Sequence, residues 1–128
     1  PTWEKAESEL QRQCMNQLLR RAGLAPDALS LVFGGDLQCQ CTASHYAMRQ
    51  LDVPFAGLYG ACSTMAEGLA LAACFAACGL ADRAAALTSS HFCTAERQYR
   101  TPLTYGGKRT IGTATKGTSG AIEFTPAA

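Results

Sequence analysis

The stretch GLYGACSTMAEGLALAA, residues 57–73, changes character in its middle. A short apolar run with two glycines leads to Cys62, and an uninterrupted helical pattern follows. The stretch therefore predicts a strand, a tight turn and a buried helix, with a cysteine at the turn. Cys62 is either a small apolar residue that fills space or a group presented for chemistry or binding.

Apolar periodicity predicts further elements on both sides of this stretch. A helix is predicted at residues 3–22, because one face repeats apolar residues at steps of three and four: Trp3, Ala6, Leu10, Cys14, Leu18 and Ala22. Thr2 is a suitable N-cap and Gly23 a suitable C-cap for that helix. Further helices are predicted at about 37–51 and at 63–78. Strands are predicted at 29–33, 55–61, 83–90 and 118–125.

This alternation of helices and strands predicts an α/β fold with a mostly parallel sheet and helices on both faces. The run Leu29–Phe33 is apolar without alternation, as strands covered on both faces require. The helix after Cys62 is apolar nearly all round, with Glu67 as its only charge. We therefore expect that helix to lie inside a larger body or at a homodimer interface.

Composition bounds the possible functions. The chain has 128 residues, which suits one domain, and only 16% of them are charged against 48% hydrophobic. The net charge of +1 gives no electrostatic reason to expect a nucleic-acid partner. The chain starts without methionine or a signal-peptide pattern, so we expect a piece of a longer protein. An odd count of seven cysteines indicates free thiols in a reducing compartment, with Cys14, Cys74 and Cys78 buried in helices.

Candidate site residues follow the predicted strands. Ligands of open α/β sheets bind beyond the carboxyl ends of the strands, where Asp36, Cys62 and His91 are expected. Cys62 also precedes a helix, whose N-terminus favours a thiolate or a bound anion. Arg97 and Arg100 could bind carboxylates or phosphates. Each has a plainer alternative: Asp36 as a helix cap, His91 as a loop-edge histidine, Cys62 as packing and the arginines as a solvated loop.

Metal and cofactor motifs are not evident. Cys39 and Cys41 form a CxC pair and Cys74 and Cys78 a CxxxC pair, but no further ligands follow at zinc-binding spacing. The glycines also lack the G-x-G-x-x-G order of dinucleotide-binding turns. We therefore expect no metal and no cofactor.

Three stretches carry a family resemblance: TWEKAESE at 2–9, GLYGACSTMAEGLALAA at 57–73 and SSHFCTAERQYR at 89–100. Together they resemble the stage V sporulation protein AD family, thiolase-fold proteins of spore-forming bacteria, over about residues 2–109. GACST at 60–64 is similar, more weakly, to the nucleophile turn of thiolases and ketoacyl-acyl-carrier-protein synthases, where a cysteine accepts an acyl group. The resemblance implies half of a duplicated αβαβα sandwich, with residues 1–128 as a partial N-terminal domain that lacks the first strand and the second half.

The resemblance also implies a function. The family is associated with binding dipicolinic acid and with its uptake into the developing spore, beside membrane proteins of sporulation and germination. A peripheral location at the spore inner membrane would follow. The ligand pocket would correspond to the acyl-enzyme site, with Cys62 in its wall and His91 as a further candidate.

Two other functions stay open at this point. One is a condensing acyltransferase with Cys62 as its nucleophile, whose remaining catalytic groups the resemblance puts in the second half. His91 is then the plausible local base, while His45 is expected in a surface or packing role. The other is a structural half-domain that works through dimerisation and membrane-complex assembly.

Overall fold

The computed structural model describes residues 2–38, 41–90 and 118–124. The predicted polar segment at 92–116 and the candidate residue His91 lie outside them. In chain order the described helices and strands are α1 (Trp3–Ala22), β1 (Leu31–Gly35), α2 (Thr42–Leu51), β2 (Phe55–Gly57), α3 (Thr64–Ala77), β3 (Ala84–Ser90) and β4 (Thr118–Phe124).

The four strands form one sheet in the order β2-β1-β3-β4. Strand β1 pairs in parallel with β2 and β3, and β4 joins β3 antiparallel. The predicted α/β fold with a mostly parallel sheet is therefore confirmed. The carboxyl ends of the three parallel strands meet at one edge of the sheet, and this edge positions the candidate site.

Neighbouring residues of β1 and β3 point into two different cores. Val32 and Leu87 pack with residues of α1 and α2, including Met15 and Met48. Phe33, the neighbour of Val32, packs instead with Ala72 of α3 and with alternate alanines of β3. The sheet thus has α1 and α2 on one face and α3 on the other, which confirms the prediction of helices on both faces.

Helix α1 has the predicted ends but a different buried face. Thr2 Oγ accepts a hydrogen bond from the main chain of Lys5, and Gly23 ends the helix in the left-handed conformation. The predicted apolar face was wrong by one position. Ala6, Leu10, Cys14 and Leu18 are half-buried and Ala22 is exposed, whereas the fully buried stripe is Glu7, Gln11, Met15 and Leu19.

Strand β1 runs two residues beyond its predicted end, through Gly34 and Gly35. A Cβ on Gly34 would collide with the carbonyl oxygen of Leu87, and one on Gly35 with that of Leu58. Only glycine allows the backbones to approach so closely. The other main differences are later starts or earlier ends: β1 begins at Leu31 instead of Leu29, α2 begins at Thr42, and β2 ends at Gly57.

Helix α3 is buried on one side only. Its buried residues Thr64, Gly68, Ala72 and Ala76 recur every four positions and face the sheet. Cys74 and Cys78 are exposed and Cys14 is half-buried, so the prediction that they are buried in helices is wrong for this chain. On its outer side Ala66, Ala70, Cys74 and Ala77 are exposed. A homodimer contact there stays a prediction.

Within the part of the chain that the structure describes, no helix has the length and apolar character needed to cross a bilayer.

Candidate functional site

The candidate site is the edge where the parallel strands end. Asp36 directly follows β1, Leu58–Gly60 follow β2, and Ser89 and Ser90 end β3. Because β1 is central to the parallel part of the sheet, the segments after β2 and β3 lie on either side of it. The topology therefore brings the Asp36 loop, the Cys62 turn and the end of β3 to one edge, as the strand order predicts for a binding site.

The turn that carries Cys62 is tight and strained. A single 3₁₀ turn, Ala61–Ser63, joins the segment after β2 to α3. Both the main-chain N–H and the hydroxyl of Ser63 donate to the carbonyl oxygen of Gly60, at 3.0 and 2.9 Å. Ala61 has φ of 50°, a conformation that L-residues other than Asn, Asp and Gly rarely adopt. Strain of this kind persists where the surroundings impose it, often at functional sites.

The start of α3 provides backbone donors next to this turn. Ser63 is the N-cap residue, and its side chain makes no capping hydrogen bond to the helix. The first N–H groups of a helix and its dipole favour a bound anion. The backbone of Cys62 lies in the turn immediately before them, whereas the Cys62 side chain lies outside the described part of the structure.

Gly60 allows this corner to close. A Cβ at Gly60 would collide with the Ser63 hydroxyl and would lie 2.9 Å from Glu67 Oε2. The Glu67 carboxylate therefore packs against the turn from the first turns of α3, near the positive end of the helix dipole.

Asp36 holds the start of α2. One carboxylate oxygen accepts hydrogen bonds from both the main-chain N–H and the hydroxyl of Ser44, at 2.8 and 2.6 Å. The other accepts from the main-chain N–H of Gln38 at 2.7 Å. Asp36 is buried, and it caps the first turn of α2 from outside the helix, whose N-cap residue Cys41 makes no side-chain capping bond. A contact between Asp36 and a ligand stays a prediction.

Cys41 lies beneath the Cys62 turn. It is fully buried in a left-handed backbone conformation, and its thiol donates to the carbonyl oxygen of Leu58 at 2.9 Å. Its Sγ also lies 3.3 Å from where a Cβ on Gly35 would be. Burial, together with the nearby Asp36 charge, raises the pKa of the Cys41 thiol above its ordinary value. A neutral, packed thiol is a structural group, not a nucleophile.

A group of buried polar side chains behind this edge was not predicted from the sequence. Gln11 Nε2 contacts the hydroxyls of Ser44 and Ser89, each at 2.8 Å. The Ser89 hydroxyl donates in turn to Glu7 at 3.0 Å. Glu7 and Gln11 are one helical turn apart on α1, but polar residues occur along the whole helix, so nothing in the sequence marked this pair.

Of the other predicted residues, the structure describes His45 alone. His91, Arg97 and Arg100 lie outside the described residues. That they lie close to Cys62 in the folded protein stays a prediction. His45 is exposed on α2, and its ring packs edge-on against Phe55 with centroids 5.1 Å apart, in the surface and packing role expected of it. In the described ranges, no three side chains among His, Cys, Asp and Glu cluster as metal ligands would.

Comparison with known proteins identifies the family. The sequence model of the family Stage V sporulation protein AD (SpoVAD) matches residues 1–125. The chain is 42% identical over 122 residues to Stage V sporulation protein AD of Bacillus subtilis (strain 168). That match covers 94% of this chain and 36% of the relative, so the chain spans about a third of the length of the curated protein it matches.

Several solved structures share the fold of this chain. 3-Oxoacyl-[acyl-carrier-protein] synthase III of Aquifex aeolicus VF5 matches with a TM-score of 0.71 at 20% identity, over 91% of this chain and 37% of that one. OleA of Xanthomonas campestris matches with a TM-score of 0.69 at 19% identity, over 91% and 40%. These likenesses confirm the thiolase-like fold and carry no activity to this chain. By its sequence, the chain belongs to the stage V sporulation protein AD family.

Proposed function

We propose that this chain is part of a non-catalytic protein that binds dipicolinic acid and supports its uptake into the developing spore. The protein acts peripherally at the spore inner membrane, beside membrane proteins of sporulation. Membership of a sporulation family supports the process. The ligand and the location go beyond that membership and are the content of the proposal.

One observation carries the ligand class: α3 begins directly after the Cys62 turn, and its N-cap Ser63 makes no side-chain capping hydrogen bond. Dipicolinate is planar and carries two carboxylates at pH 7. One carboxylate suits the main-chain N–H groups of the first turn of α3 that follow Thr64, whose own N–H donates to the carbonyl oxygen of Ala61. The other needs a cationic partner, and a bidentate guanidinium is the best match for it. Arg97 and Arg100 are the candidates for that partner.

A second function has a specific observation in its favour. The strained Ala61 directly before Cys62 resembles the kind of turn that presents a nucleophile, and the fold is that of condensing enzymes. An acyl transfer would need a base for the thiol. The histidine that the structure describes, His45, packs on Phe55 in α2, so this base is left to His91. We favour binding because a dianion site requires no base at all.

A calorimetric titration of the full-length protein with dipicolinate tests the proposal. We expect saturable 1:1 binding, and at least about tenfold weaker binding of pyridine-2-carboxylate, which lacks one carboxylate and its charged hydrogen bonds. Arg97→Gln or Arg100→Gln should weaken dipicolinate by about tenfold or more. Arg49→Gln is the matched control, because Arg49 is an exposed arginine on α2. Absence of binding to wild-type protein would refute the proposal.

Incubation with acyl-CoA tests the acyltransferase alternative. Intact-protein mass spectrometry should show no acyl adduct if the protein only binds. A stoichiometric mass increase that disappears in Cys62→Ser would establish Cys62 as an acyl acceptor and reverse our preference.

A further inference from the structure

The buried polar group behind the site joins four elements. Its members are Glu7 and Gln11 of α1, Asp36 after β1, Ser44 of α2 and Ser89 of β3. Glu7, Gln11 and Ser44 are fully buried, and Asp36 and Ser89 are no more than 5% exposed. Burial of five polar side chains costs free energy unless they bond one another, so the hydrogen bonds among them decide whether this group stabilises the fold.

Gln11 lies at the centre of this group. Its Nε2 is within hydrogen-bond distance of the hydroxyls of Ser44 and Ser89, at 2.8 Å each, and of the carbonyl oxygen of Gly35 at 3.4 Å. The two hydroxyls take the two N–H groups of the amide, and the Gly35 carbonyl oxygen, which can only accept, lies on the same side. One side chain on α1 thus contacts the end of β1, the first turn of α2 and the end of β3.

The amide also sets the direction of both hydroxyls. Each serine accepts from Gln11, so its own proton is directed elsewhere. Ser44 donates to Asp36 at 2.6 Å, and Ser89 donates to Glu7 at 3.0 Å. The two N–H groups of one amide therefore lead through two hydroxyls to two carboxylates. No hydrogen bond joins Ser44 to Ser89 directly in the described part of the chain.

The two branches end on different sides of the candidate site. One fixes Asp36, the residue that holds the loop after β1 and the start of α2. The other fixes Ser89, two positions before His91. Loss of either hydroxyl leaves a buried Gln11 N–H without its acceptor, which favours a shift of the amide toward the Gly35 carbonyl oxygen and weakens the bond to the remaining hydroxyl. The branches should therefore respond to each other.

We propose that Gln11 is a positioning residue that couples the Asp36 loop to the end of β3. It does not touch ligand in this proposal; it holds together two of the segments that frame the ligand edge. The coupling itself is a property of this buried group, and its effect on dipicolinate rests on the proposed function.

Hydrogen exchange provides a ligand-free test in the full-length protein. In Ser44→Ala, we expect the amides at 88–90 to exchange about tenfold faster, because one lost buried hydrogen bond is transmitted through Gln11. In a Gln11→Met background, the same Ser44→Ala change should alter that rate by less than twofold. Equal acceleration in both backgrounds, or none in the first, would overturn the coupling. If Gln11→Met does not fold, Gln11→Leu replaces it, because it also removes both donors and places no charge beside the buried Glu7.

Ligand affinity provides the second test. We expect Gln11→Met to weaken dipicolinate about tenfold, as loss of one buried hydrogen-bonded contact would. Gln13→Met is the matched control, because Gln13 is exposed on α1 and bonds only its neighbour Glu9 in the structure. Urea unfolding of each variant separates affinity from stability: a purely structural Gln11 would lower stability and leave the Kd of the folded protein unchanged.

The two tests fail in different ways. If wild-type protein binds no dipicolinate, the proposed function fails while the exchange result still decides the coupling. If dipicolinate binds and the two serine branches prove independent in exchange, the coupling is wrong and the proposed function stands.

Discussion

The Cys41 thiol and the main-chain oxygen of Leu58 are joined by a hydrogen bond of 2.9 Å. The N–H of Leu58 donates at the same time to the carbonyl oxygen of Gly34, at 2.8 Å. Leu58 is therefore held by β1 on one side and by the start of α2 on the other. Two residues later the chain enters the turn at Gly60, so this pair of bonds fixes the approach to Cys62.

The raised pKa of Cys41 predicts a pH dependence of stability. The folded thiol stays neutral at a pH where the unfolded one, with a pKa of about 8.5, has ionised. Its contribution to the free energy of unfolding is therefore complete below that pH and falls as the pH rises through the folded pKa. We expect urea midpoints measured from pH 8 to 10 to fall less steeply for Cys41→Ser than for wild type. Parallel pH profiles for the two proteins would contradict a buried, titrating Cys41.

Gly35 predicts a large effect of one methyl group. Its Cβ would collide with the backbone oxygen of Leu58, and a backbone atom cannot rotate away. We expect Gly35→Ala to lower the free energy of unfolding by at least about 2 kcal/mol. Gly68→Ala in α3 is the control, since its Cβ would meet Ala86 at an ordinary 3.4 Å. Chemical denaturation should find Gly68→Ala within about 1 kcal/mol of wild type. Equal costs at both positions would refute the close approach at Gly35.

Ala61 predicts an unusual tolerance of glycine. Alanine in the left-handed conformation is strained by roughly 1 to 2 kcal/mol, whereas glycine is not. Glycine also makes the unfolded chain more flexible, which lowers the free energy of unfolding by about 0.5 to 1 kcal/mol. We therefore expect Ala61→Gly to leave stability unchanged or slightly higher. Ala70→Gly, at an exposed position of α3, should cost about 1 kcal/mol in the same denaturation experiment. A comparable loss for Ala61→Gly would show that Ala61 carries no strain.

The sequence predicted what depends on local pattern. Apolar runs bounded by glycine and proline gave the element order, and Thr2 and Gly23 marked both ends of α1. Boundaries that depend on distant contacts were missed. The local sequence does not show that Gly34 and Gly35 continue β1. Glycine is needed there because the backbones of Leu87 and Leu58, which are distant in sequence, come too close for a side chain.

The buried face of α1 shows why the site was only partly predictable. Periodicity favoured the apolar residues Leu10 and Cys14, since burial of Glu7 and Gln11 would ordinarily cost free energy. That cost is offset by partners on other elements, such as Ser89, which is 82 residues away from Glu7 along the chain. Hydrogen bonds over such separations leave no periodic signal in the sequence.

Asp36 provides a prediction that separates capping from ligand binding. Asp36→Asn keeps the shape of the side chain but replaces one carboxylate oxygen with an NH2 group. In wild type both oxygens accept hydrogen bonds, so the NH2 group would face a donor and one bond would be lost. We expect it to lower the free energy of unfolding by about 2 to 3 kcal/mol, the range for buried hydrogen bonds to a charged group. Asp52→Asn is the matched control, because Asp52 is exposed in a left-handed conformation that asparagine adopts readily. Denaturation and dipicolinate titration are then compared in the folded variants. A cap alone costs stability with little change in Kd, whereas an Asp36→Asn protein of wild-type stability would refute the capping bonds.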